Sequence, residues 1–129
     1  MDIQAIEAKG AGSRTREERI ALKKHIRDYC NLTGYSDTYP FEVVRVVSDR
    51  CVEIREMDAT QVERPQHFIP GGFSAHCADN HAQEWECSSN EENPVIRVRW
   101  SKANERWQDK WGQRYYMSNN PRKFYDYNF

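Results

Sequence analysis

From Pro94 to Phe129 the chain reads PVIRVRWSKANERWQDKWGQRYYMSNNPRKFYDYNF, and this stretch limits the possible fold more than any other. Ile96, Val98 and Trp100 alternate with Arg97 and Arg99. Successive side chains of a strand point to opposite faces, so the pattern predicts a half-buried strand over 95–101 with one apolar and one basic face. Lys102–Glu105 and Asp109–Gly112 read as turns around a return strand at 106–108, with closing strands at 115–118 and 123–127. Upstream, Phe41–Val47 and Cys51–Glu56 are β-branched runs joined by Ser48-Asp49-Arg50, the pattern of a tight hairpin. Pro40 should open the first of them, because proline has no N–H to give to a sheet ladder. A further short strand is expected at 84–88, around Trp85. Strands so short and closely spaced predict a small, strongly bent, mostly antiparallel sheet or a partly open barrel, SH3-like or OB-like.

One helix should precede the sheet, which makes the class α+β. Thr15 and Glu18 have capping-box spacing, in which each side chain satisfies an otherwise orphan amide. Leu22, Ile26, Tyr29 and Cys30 fall on one helical stripe, and Asn31 to Gly34 supplies a stop with Gly34 as a left-handed cap. The expected helix spans about 15–32, after a flexible lead of residues 1–14. Residues 15–129 then form one domain, β-rich over 39–129, with a polar loop at about 57–83 bent by Pro70-Gly71-Gly72. Arg16, Arg19, Lys23, Lys24 and Arg27 lie opposite the apolar stripe, where solvated cations are the ordinary outcome.

A chain of 129 residues can bury one modest core without disulfide or metal staples. No apolar run approaches the roughly 20 residues of a membrane-spanning helix, and Met1 to Arg14 lacks the pattern of a secretory signal. The expected location is the cytoplasm, with Cys30, Cys51, Cys77 and Cys87 as thiols and no membrane partner.

The formal net charge of -1 hides a segregation. Residues 1–48 carry eight Lys/Arg against seven Asp/Glu, residues 49–93 three against ten, and residues 94–129 eight against three. The chain is therefore basic by one, then acidic by seven, then basic by five, unless the acidic middle folds over the basic end and neutralises it.

Three constellations invite a chemical interpretation. His76, Cys77, His81 and Cys87, with His67 upstream, offer zinc-ligand types within a dozen residues. Against zinc stand the missing Cys-x2-Cys knuckle and the adjacency of His76 and Cys77, so no cofactor is expected. Cys77 or Ser74 beside His76 or His81, near Gly71-Gly72, contains the parts of a nucleophile system, but no established signature surrounds them. Glu91-Glu92 and Asp126 lack a spacing that marks acid–base work, and the expectation is a protein that is not an enzyme. The third constellation is the basic series Arg97, Arg99, Lys102, Arg106, Lys110, Arg114, Arg122 and Lys123, which suits a phosphate backbone, with exposed rings among them to stack bases. Alternation assigns Trp100 to the core instead.

Tyr35-Ser36-Asp37-Thr38-Tyr39-Pro40, the following Phe41 to Val46, Arg55-Glu56-Met57-Asp58, and the ending from Lys123 to Phe129 resemble a "YSD…P…V" opening and a "YYDYSF" close. That combination is similar to a family of small uncharacterised proteins carried by phages, prophages and plasmids, and covers about residues 34–129. The resemblance implies the cytoplasm of a bacterial host and stoichiometric binding to a host protein or nucleoprotein complex, as anti-CRISPR or antirestriction inhibitors do. The acidic surface then expected to engage a basic channel comprises Asp58, Glu63, Asp79, Glu84, Glu86, Glu91 and Glu92. The competing expectation is a single-stranded DNA- or RNA-binding module that uses the basic, aromatic sheet.

Overall fold

The computed structural model describes residues 2–63, 68–69, 76–77 and 84–125. Among these residues eleven strands follow two short α-helices: α1 Ile3–Ala8, α2 Arg16–Lys24, β1 Tyr29–Thr33, β2 Thr38–Tyr39, β3 Phe41–Ser48, β4 Cys51–Glu56, β5 Asp58–Glu63, β6 Phe68–Ile69, β7 His76–Cys77, β8 Glu84–Ser88, β9 Val95–Ser101, β10 Arg106–Gln108 and β11 Arg114–Ser118. β3, β4, β9, β10 and β11 pair in succession, and β11 returns to β1, which pairs with β2 and β3. The result is a closed six-stranded antiparallel barrel. β2 and β3 keep one register against β1 across Pro40, which sits fully buried between them and lacks only the N–H that a ladder would use.

Apolar alternation fills the interior. Cys30, Phe41, Val52, Ile54, Val98, Trp107 and Tyr115 form the core, with Ile96, Trp100 and Met117 packed against it. Phe41 meets Tyr115 edge-on at 5.6 Å, and Trp100 meets Trp107 at 5.9 Å, the geometry that aromatic quadrupoles favour. α2 covers the barrel beside β10 and β11, held where the Trp107 indole N–H donates to the Lys23 carbonyl at 3.1 Å, one of the carbonyls a helix end leaves without an internal partner.

Several sequence expectations need correction. The helix expected over 15–32 ends at Lys24, although its capping box forms as expected, with Thr15 and Glu18 bonded reciprocally at 3.1 and 3.0 Å. Tyr29 and Cys30 leave the helical stripe for β1, because five residues of that segment pair with β11 and so close the barrel. A helix there would leave two exposed sheet edges. Gly34 lies in the β1–β2 connection, where its N–H donates to the Asp37 carbonyl, rather than capping a helix. The lead of residues 1–14 holds α1, capped by Asp2, and a 3₁₀ turn at Ala11–Ser13, and Ile6 is buried. The loop expected over 57–83 contains β5, which pairs with β8 into a two-stranded arm, and the small β6–β7 ladder. The expected strand at 123–127 contributes one bridge, Phe124 to Thr38, and its last two residues lie outside the described segment. Among the described residues no helix is long and apolar enough to cross a membrane.

Candidate nucleic-acid interface

The turn between β10 and β11 is organised by a buried carboxylate. Asp109 is 5% exposed, and its Oδ1 accepts the backbone N–H groups of Trp111 and Gln113 at 2.9 and 3.0 Å. Its Oδ2 accepts the Tyr115 hydroxyl proton at 2.9 Å. Burial, reinforced by that bond, pushes the Tyr115 phenol well above its ordinary value, so it remains a donor. Gly112 closes the turn at φ +83°, a conformation that side-chain-bearing residues rarely adopt. This scaffold holds Trp111 outward, 68% exposed.

Trp111 stands at the rim of a cleft of about 670 Å³, with Arg97, Arg99, Gln108 and Lys110 among its lining and Trp100 forming its apolar wall. The Lys110 ammonium sits 4.6 Å from the Trp111 ring centroid. Arg97 and Arg99 project outward from β9 opposite the buried Val98, as alternation predicts. Arg97 is committed to Glu53 at 2.9 Å, and that bond holds the Glu53 carboxyl below the usual range. Arg45 shares Glu53 from the other side at 3.4 Å. Arg99 makes no ion pair or side-chain hydrogen bond among the described residues. Its cross-strand partner in register on β4 is Cys51, buried but outside the core cluster. Arg99, Gln108 and Arg114 are in register across β9, β10 and β11, a polar row on the outer face.

The basic series is not one surface. Arg97, Arg99 and Lys110 gather at the cleft, Arg106 and Arg114 lie on the far side of the Asp109–Gly112 turn, and Lys102 lies in the β9–β10 turn. Arg122 and Lys123 line a separate cleft of about 520 Å³ with Trp85 and Cys87. There the Lys123 ammonium lies 4.1 Å from the Tyr39 ring and 5.5 Å from the Trp85 ring, tying the arm to the barrel. Buried Asn31 fixes this segment by donating to the Asn120 carbonyl at 3.1 Å and accepting the Arg122 N–H at 3.2 Å. Of the N-terminal cations, Arg16 pairs with Glu105, Lys24 with Asp49 and Arg27 with Glu7, while Arg19 donates to the Arg14 carbonyl and Lys23 makes no ion pair among the described residues.

The acidic surface is carried largely by the arm. Glu84 and Glu86 are exposed on β8, and Glu91 and Glu92 are exposed in the turn that leads to β9. Asp58 accepts from the Asn90 amide at 3.1 Å. The Glu63 side chain and Asp79 lie outside the described residues. Among the described basic residues of 94–129, only Arg97 is paired with an acid from 49–93, so the middle does not neutralise the basic end there.

The zinc and nucleophile candidates fall largely outside the description. His67, Ser74 and His81 are not described, and His76 and Cys77 are placed only as the backbone of β7. Burial pushes the Cys87 thiol up, against the opposing charge of Lys123. Among the described residues no three His, Cys, Asp or Glu side chains gather to hold a metal ion.

The sequence identified the arginines but missed Trp111 and Asp109 as parts of the site. The available signal was a tryptophan beside glycine at a turn, where an aromatic ring has no core to enter. Fold and surface together define a small closed barrel with an aromatic–basic outer face and an acidic arm. No protein-family model, no curated protein and no solved structure matches this chain.

Proposed function

We propose that this protein binds single-stranded nucleic acid at the Trp111 cleft. The observation that carries the proposal is an exposed tryptophan whose backbone N–H is held by a buried carboxylate, beside Arg99, which has no partner among the described residues, and Lys110. A ring presented this way stacks any base, each stack contributing about 1–3 kcal/mol, while the cations meet phosphates. A duplex keeps its bases stacked on one another and offers no free face to such a ring. The role assigned is binding, without catalysis.

A second reading, stoichiometric inhibition of a host protein or nucleoprotein complex, draws on the exposed acids Glu84, Glu86, Glu91 and Glu92 of the arm and its turn. Complementary charge of that kind speeds encounter with a basic partner.

Fluorescence anisotropy with labelled dT12 and rU12 between 50 and 200 mM salt separates the two. Trp111→Ala should weaken binding by about 10-fold, and Arg99→Ala should reduce the slope of log K against log salt by about 0.7. No binding at 50 mM salt, or binding indifferent to both substitutions, contradicts the proposal. Inhibition of a host nuclease complex that is abolished by Glu84→Lys with Glu86→Lys, and unaffected by Trp111→Ala, selects the second reading.

A further inference from the structure

A second cleft, of about 380 Å³, opens on the other side of the Asp109–Gly112 turn, lined by Tyr35, Arg106, Gln113 and Arg114 among others. Tyr35 is 92% exposed, in the connection whose ends are joined by the Gly34 N–H donating to the Asp37 carbonyl at 2.9 Å. The Arg106 guanidinium is already ordered, donating from Nε to Gln108 Oε1 at 3.2 Å and from Nη2 to the Gly112 carbonyl at 3.3 Å. Arg114 lies over the Tyr116 ring at 6.0 Å. The two clefts thus repeat one composition, an exposed ring with two arginines, on either side of a shared turn.

They are also joined. Arg99 of the first cleft and Arg114 of the second both stand in register with Gln108, two strand spacings apart, which is about 10 Å. Continuing along the row, Arg114 pairs with Thr33, and the chain reaches Tyr35 two residues later. Trp111, in the β10–β11 turn, and Tyr35, in the β1–β2 connection, thus stand beyond the ends of their strands, next to the row of Arg99, Gln108, Arg114 and Thr33 that crosses β9, β10, β11 and β1.

Building on nucleic-acid binding at the first cleft, we propose that the second cleft is a further base-stacking position. A single strand crosses the barrel strands from Trp111 to Tyr35, with its phosphates over Arg99, Arg106 and Arg114. Tyr35 then sets the length of strand the protein engages, a role distinct from that of Trp111.

The test is a length ladder of dT and rU oligonucleotides from 2 to 12 residues, titrated against wild type, Tyr35→Ala, Tyr35→Phe and Trp111→Ala. Wild-type affinity should rise with length and level off once the strand spans both clefts. Tyr35→Ala should lower affinity about 5- to 10-fold for strands beyond that length and leave the shortest unchanged, and Tyr35→Phe, which keeps the ring, should restore it. The exposed position of Tyr35 leaves the core intact in both variants. If Trp111→Ala weakens binding and Tyr35→Ala does so at no length, the second position is refuted and the first cleft stands. If neither substitution matters, both fall.

Discussion

Asp109 shows how one side chain links fold to surface. It is one of two buried polar or charged residues among those described, and it serves the Trp111 and Gln113 amides together with the Tyr115 hydroxyl. Asp109→Ala strips all three donors of their acceptor and leaves a buried phenol unsatisfied, a change of about 2–4 kcal/mol in stability. Asp109→Asn keeps an acceptor for the amides and should cost about 1 kcal/mol. Urea denaturation checks both values, and equal, negligible losses would show that the carboxylate does not organise the turn. Nothing in the sequence distinguishes Asp109 from the other acids, because its importance comes from a turn geometry and a tyrosine on the next strand. The face on which Trp100 packs, by contrast, was legible, since alternation with Arg97 and Arg99 is local, although the ring is half-buried against the core and not within it.

At the scale of elements, the seam between β1 and β11 closes the barrel and was the part the sequence hid. Local signals over Tyr29 to Thr33 suit a helix, and only pairing with a strand some 85 residues away makes the segment extended. The strands at β3, β4, β9 and β10 were legible, because their alternation and turns are encoded locally. The seam also carries the alkaline sensitivity of the fold. Burial pushes the Cys30 thiol from 9.0 up to about 12, and the facing strand holds Tyr115, whose phenol is likewise shifted upward. The folded protein keeps protons that the unfolded chain releases from about pH 9, so stability must fall as pH rises from about 9 toward 12. The slope for each such proton approaches 1.4 kcal/mol per pH unit. Urea midpoints measured from pH 8 to 11 should decline above 9, and Cys30→Ala should flatten the early part of that decline while lowering stability at pH 7. A midpoint independent of pH across this range would mean that the seam does not exclude water.

For the whole molecule, the basic stretch divides among several patches on the barrel, while the exposed acids Glu84, Glu86, Glu91 and Glu92 lie on the arm and its turn. Which cations are paired depended on the fold: Arg97 is taken by Glu53, and Arg99 has no ion pair among the described residues. The role proposed for the Trp111 face is to receive single-stranded nucleic acid. The four tryptophans offer a direct readout, since each indole N–H gives its own signal in a ¹⁵N correlation spectrum and occupies a different environment. On titration with dT12 or rU12, the Trp111 indole should shift progressively while Trp107, buried and bonded to the Lys23 carbonyl, stays in place. Shifts confined to Trp85 on the arm, or no shift at any of the four, would contradict it.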